Sequence, residues 1–328
     1  MRAFTEPLTQ LQGYEELEQA VQKTEGVILV SGCIDAVKPH IVYSVHNGSG
    51  NRIIVTFHEQ KAKELLEEYR FFDKNVAYYP AKDILFYQSD IRGNVLTSER
   101  INALKMMAEE KECTIITTFD GLMNPMPAPE KFIQAVKKIS VGDTVELNEL
   151  TRHLVELGYE KNYQAETMGE FSVRGGIIDI FPLTEETPFR IELWGDEVDS
   201  IRTFDVESQR SIENLMDIVI YPAVEFPQNG EKGVSFLDYF PPEDTILFLD
   251  EPVRLVERGQ NIEDEFMEAQ KKRLESGYDL EEEEAKIFPV TEILKKINCY
   301  SSIGFYALGM KCKGLEVRES YEIQAKSV

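Results

Sequence analysis

The stretch Gly26-Val-Ile-Leu-Val30, followed by Gly32-Cys-Ile-Asp-Ala-Val37-Lys38-Pro39, decides the fold. An apolar strand that runs into a glycine, with a lysine beyond it, has the layout of a phosphate-binding loop, G-x-x-x-x-G-K-[ST]. Gly32 and Lys38 stand at the required spacing, but Val37 replaces the second glycine and Pro39 replaces the hydroxyl residue. In a working loop the glycine lets backbone N–H groups close on the β-phosphate, and the hydroxyl holds Mg²⁺. A β-branched valine resists that backbone geometry and proline has no N–H to give. The segment keeps the layout of an ATPase loop and lacks its chemistry.

Around this loop, short apolar runs alternate with helical patterns. Gly26–Ser31, Ile53–Phe57, Val76–Tyr79 and Cys113–Phe119 read as buried strands. Asp35–His46, Glu59–Phe71 and Ser98–Glu110 carry apolar residues at helical spacing. That order predicts a parallel sheet covered by helices. Three prolines in Asn124-Pro-Met-Pro-Ala-Pro129 break the pattern and mark a boundary. Beyond them, a helix over Asn148–Leu157, strands in Glu170–Phe181 and a strand Phe189–Trp194 predict a small α+β unit built on hairpins, with a turn or bulge at Gly175-Gly176. Ile218-Val-Ile-Tyr-Pro222 reads as the return to α/β pattern. Thr245–Asp250 reads as another buried strand, Pro252–Ser276 as a charged helix and Leu280–Ala285 as a solvated connector.

Composition bounds the function. The 328 residues suit about two or three domains. No apolar run reaches the roughly 20 residues that span a bilayer, and Met1-Arg-Ala-Phe-Thr-Glu lacks a signal-peptide core, so a cytoplasmic location is expected. Cys33, Cys113, Cys299 and Cys312 are too dispersed for a disulfide scaffold or metal motif and are expected as reduced thiols in or near the core. His40, His46, His58 and His153 show no metal-ligand spacing, and no cofactor is expected. With 59 acids against 35 bases, net charge −24, the chain is a poor nucleic-acid ligand and suits a basic partner or a small local contact patch.

The run Ile246-Leu-Phe-Leu249 delivers Asp250 and Glu251 at the end of a strand, where a P-loop enzyme holds Mg²⁺ and orients water. A helix N-terminus favours the same acids for structural reasons. Together with Gly32 and Lys38 they outline a degenerate nucleotide site.

Met168-Gly-Glu-Phe-Ser-Val-Arg174-Gly-Gly-Ile-Ile-Asp-Ile-Phe-Pro182 and Phe189-Arg-Ile-Glu-Leu-Trp-Gly-Asp-Glu-Val-Asp-Ser-Ile-Arg-Thr-Phe-Asp-Val-Glu-Ser-Gln-Arg210 resemble the UvrB-like N-terminal region of the bacterial transcription-repair coupling factor (Mfd) family. Tyr79-Pro-Ala-Lys-Asp-Ile-Leu-Phe-Tyr87, Thr97-Ser-Glu-Arg-Ile-Asn-Ala-Leu104 and Ile220-Tyr-Pro-Ala-Val-Glu-Phe226 agree with it, and the resemblance weakens after residue 255. UvrB itself keeps an intact glycine-rich loop and inserts a DNA-binding hairpin where this chain has only Gln88 to Leu96.

The resemblance implies an α/β protein: a degenerate RecA-like parallel-sheet domain formed from two chain segments, 1–123 and 213–328, with an inserted small α+β domain, 124–212. It further implies a module without catalysis that recruits UvrA and packs against other domains of a longer protein. RNA polymerase and DNA would be reached only through domains outside this chain. An ATP-binding helicase subunit using Lys38, Asp250 and Glu251, and an autoinhibitory domain, are the alternatives. Arg174 matches the family's V-R-G position and Lys161 an earlier basic one, while Ser172 stands where the family has a further arginine. Phe171 and Phe181 are read as apolar anchors, with core packing as the alternative. For Arg174 the alternative is an internal salt bridge, and for Arg190 a solvent-facing strand position.

Overall fold

The computed structural model describes residues 6–21, 26–45, 50–82, 93–109, 112–225, 233–276, 287–307 and 313–323. The expected connector Leu280–Ala285, His46 and Cys312 lie outside the described residues. The chain forms two compact units: Met1–Ser89 with Glu109–Met126 and Asn229–Val328, and Asp90–Ala108 with Pro127–Gln228. In chain order the first unit contributes β1 (Gly26–Ser31), β2 (Asn51–Thr56), β3 (Val76–Tyr79) and β4 (Thr114–Thr118). The second contributes β5 (Lys137–Ser140), β6 (Glu160–Lys161), β7 (Glu170–Arg174), β8 (Ile177–Ile180), β9 (Phe189–Trp194), β10 (Glu197–Phe204), β11 (Ser211–Leu215) and β12 (Asp217–Ile220). The chain then returns to the first unit for β13 (Thr245–Asp250), β14 (Ser301–Tyr306) and β15 (Val317–Glu322).

The first unit is an α/β layer structure of degenerate RecA-like architecture. Its sheet has the order β15-β1-β14-β13-β2-β4-β3, with every pairing parallel. A parallel sheet is covered on both faces, which is why its strands read as unbroken apolar runs; β13 is buried at every position. Helices Tyr14–Val21, Lys38–Ser44 and Glu59–Tyr69 close one face, placing Leu17, Ile41, Val42, Leu65 and Tyr69 in a cluster with Ile28, Val30 and Phe248. Phe119–Met123, Pro252–Glu275 and Val290–Ile297 pack on one another, and the second of these lies against β13 and β14. None of the described helices is long and apolar enough to cross a membrane.

In the second unit the main sheet runs β11-β10-β9-β8-β7-β6, antiparallel except for β6 with β7. Gly175-Gly176 form a two-residue turn between β7 and β8, with Gly175 at φ 64°, where a side chain would be strained. Ile218–Tyr221 does not begin a return to α/β pattern: β12 pairs antiparallel with β5 in a separate two-stranded sheet. An apolar alternation of that length specifies a strand and leaves its partner open.

Helix Gly93–Glu109, which the alternating pattern places among the parallel strands, is tied to the second unit. Arg100 Nε donates to Glu225 at 2.8 Å, Ser98 Oγ donates to the Leu183 carbonyl at 2.7 Å, and Lys105 pairs with Glu185 at 3.3 Å. Both members of the Arg100–Glu225 pair are buried. Removing one partner leaves a buried charge, so Arg100→Leu is expected to destabilise the protein by about 3–5 kcal/mol in urea denaturation. Arg100→Leu combined with Glu225→Leu is expected to recover part of that loss.

Candidate functional site

The loop after β1 is closed by its own backbone. Gly32, at φ 78°, turns the chain out of the strand, and Asp35–Val37 then form a short 3₁₀ turn that leads into helix Lys38–Ser44. The Val37 N–H donates to the Ile34 carbonyl at 2.9 Å, the Lys38 N–H donates to the Asp35 carbonyl, and Pro39 has no N–H. Two of the N–H groups that would line a phosphate cradle are therefore used within the turn. On the other side, a Cβ at Gly32 would lie 2.5 Å from the Ile323 carbonyl oxygen, so the chain beyond β15 packs directly on the glycine.

The lysine is spent as well. Lys38 Nζ donates to Asp250 Oδ1 at 2.7 Å and lies 2.8 Å from Asp35 Oδ1, while Lys61 holds the second Asp35 oxygen at 2.9 Å. Burial opposes the Lys38 charge, but the Asp250 and Asp35 carboxylates outweigh it and raise the ammonium pKa. Hydrogen bonds from Lys38 and Lys61 hold the Asp35 carboxyl down at about 2. Burial pushes the neighbouring Cys33 thiol up to about 11 against the pull of Lys38, so it stays protonated. Glu251 turns away in a left-handed conformation, φ 56° and ψ 68°, and its Oε1 accepts from the Ala307 N–H at 3.0 Å.

In the second unit, strand alternation sorts side chains by face. Phe171 opposes Ile180, Val173 opposes Ile178, Ile178 opposes Ile191 and Ile180 opposes Phe189, so this face is apolar and its core members are buried. The other face carries Ser172, Asp179, Arg190 and Arg202 in one register row across β7 to β10, with Arg174 and Glu192 in the adjoining row on either side of Ile177. Asp179, buried at 1% exposure, is gripped from both sides. Arg190 donates to it through Nε at 2.6 Å and Nη2 at 2.8 Å, and Arg174 Nη2 donates at 2.7 Å. Arg190 also lies over the Phe204 ring at 4.2 Å and donates to Gln209 Oε1 at 2.8 Å. The Asp179 bonds raise the pKa of its guanidinium. Arg202 pairs with Glu192.

Residues 138–226 match the family described as the UvrB interaction domain. These residues lie in the second unit. Over a longer stretch the chain is similar to the transcription-repair-coupling factor of Bacillus subtilis (strain 168), at 35% identity over 169 residues, 51% of this chain and 14% of that protein. It is similar to that of Staphylococcus aureus (strain USA300) at 33% identity over 201 residues, 60% of this chain and 17% of that protein. The chain thus spans less than a fifth of the length of these relatives. Domain match and relatives together support a UvrB-like module of the transcription-repair-coupling-factor kind.

The structure brings Gly32, Lys38 and Asp250 to one end of the parallel sheet and turns Glu251 aside. Arg174 and Arg190 meet on Asp179, and Arg190 is thereby held in an ion pair rather than facing solvent freely. Lys161 is exposed on the edge strand β6, in register with Phe171. Phe171 and Phe181 are core side chains, 0% and 8% exposed, which corrects their reading as surface anchors: the strand period turns Phe171 inward. Cys299 is exposed, contrary to the expectation for the thiols. Two residues of the polar face were missed from sequence, Asp179 and Trp194. Period-two alternation in Phe189-Arg-Ile-Glu-Leu-Trp places Arg190, Glu192 and the 83%-exposed Trp194 on one face and could have found the second.

Lys38→Met strands the buried Asp250 carboxylate and is expected to cost about 3 kcal/mol in thermal or urea denaturation. The Asp35 pKa is lower in the folded protein, so its contribution is present above its ordinary value of 3.8 and lost as pH falls toward about 2. Melting curves across that window should fall more steeply with acid in the wild type than in Lys38→Met.

Proposed function

We propose that this chain is an adaptor of transcription-coupled nucleotide excision repair, without catalysis of its own, whose second unit recruits UvrA. The observation that carries the proposal is the polar sheet face, where Arg174, Arg190 and Arg202 cluster around Asp179 and Glu192 on a chain of net charge −24, within the residues that match a UvrB interaction domain. Arginine forks and a flanking aromatic are the side chains that dominate interface hot spots. Arg174 is 38% exposed while bonded to Asp179, so part of its guanidinium faces outward to a carboxylate-bearing partner. Lys161, in register with Phe171, lies at the edge of the opposite face and is not part of this patch, whereas Trp194 lies beyond Glu192 on the same strand face as Arg190. Phe171 acts from beneath by packing the strand that carries Arg174.

The closed loop supports the same reading from the first unit. A Lys38 neutralised by Asp250, the Val37 and Lys38 N–H groups bonded within the turn and a glycine against Ile323 leave the sheet end unsuited to a phosphate, and the chain carries out no ATP hydrolysis. DNA and RNA polymerase are contacted by other parts of the longer protein.

Binding of the purified chain to immobilised UvrA tests the proposal, with Arg174→Ala confirmed as folded by circular dichroism. The variant is expected to bind at least about tenfold more weakly, roughly 1.4 kcal/mol. Equal binding by both proteins would remove Arg174 from the interface, and no binding by either would remove UvrA as the partner.

A further inference from the structure

We infer that Asp179 is a positioning residue for partner binding: a buried carboxylate that holds the Arg174 guanidinium in its binding orientation, with Arg190 as its opposed partner on the next strand. This rests on the reading of Arg174 as a UvrA contact.

Three observations carry it. Asp179 is 1% exposed, and a carboxylate so buried is costly unless paired. Arg190 pairs it in the strong two-point form, Nε to Oδ1 and Nη2 to Oδ2, from the directly opposed position on β9. Arg190 is itself immobilised by the Phe204 ring and Gln209. The charge of Asp179 is thus met without Arg174. Arg174 nevertheless donates a third bond to Oδ2, from a strand end beside the Gly175-Gly176 turn, and keeps a solvent-facing part. An arginine at a hairpin end, left to itself, samples many rotamers and loses that freedom on binding. The bond to Asp179 removes much of that loss in advance, and only one of the two guanidinium edges is used. Opposed to Asp179 on the other side, Ser172 Oγ is buried and makes no bond among the described residues, so it does not compete for the carboxylate.

The test is a double-mutant cycle on the full chain, read as UvrA affinity. Asp179→Asn is expected to weaken binding roughly fivefold when Arg174 is present and by less than about twofold in the Arg174→Ala background, because its effect passes through Arg174. Equal weakening in both backgrounds, or none in either, overturns the inference. A failure of Arg174→Ala to weaken binding would overturn the recruitment reading instead, and the two failures are therefore distinct. Should Asp179→Asn not fold, the wild-type protein decides. Side-chain NMR of the free chain is expected to show slow guanidinium rotation at Arg174, and fast averaging there would refute the positioning role.

Discussion

The ion pair between Lys38 and Asp250 is the constraint on which the first unit turns. It links the loop after β1 to the end of β13, two strands separated in the sheet by β14 and in sequence by the whole second unit. In a nucleotide-binding protein these positions face each other across phosphate and metal, and the ligand supplies the charge that keeps them apart. Here the lysine and the aspartate neutralise one another directly. Once the hydroxyl and glycine positions are Pro39 and Val37, a lone lysine at the sheet end would be a buried charge with no partner, and Asp250 resolves it. The replaced loop residues and the Lys38–Asp250 pair are thus parts of one arrangement.

The second unit solves a different problem, how to hold several arginines side by side on one sheet face. Its sheet does so by alternation, with one face committed to Phe171, Ile178, Ile180 and Ile191 and the other to arginines whose charges are partly met by Asp179 and Glu192. Pairing at this level keeps the strands from repelling one another.

Much of this was legible in the sequence. Gly26–Ser31, Val76–Tyr79 and Phe189–Trp194 are strands with the expected bounds, because buried apolar runs between turn residues carry an unambiguous signal. Other elements were silent for physical reasons. Ser301–Tyr306 lies between β1 and β13, yet its small residues and Gly304 give little apolar signal, since Gly304 makes room for Pro252. Val317–Glu322 is an edge strand whose exposed charged residues hide it. At the site, the broken loop was readable from Val37 and Pro39, whereas the partner that satisfies Lys38 depends on tertiary contact. The Arg174–Asp179–Arg190 arrangement likewise needs the register of three strands, and sequence alone left Arg174 open between a partner contact and a salt bridge. The structure shows the salt bridge together with an exposed remainder.

Calorimetric titration of the full chain with Mg²⁺ and ATP tests most directly whether this protein is an adaptor rather than a motor. With Lys38 held by Asp250, the Val37 and Lys38 N–H groups bonded within the turn and Pro39 lacking one, no saturable heat is expected up to about 1 mM nucleotide. Saturable, Mg²⁺-dependent binding that disappears in Lys38→Ala would contradict the account, because it would mean that ATP can displace the aspartate and that the loop still works.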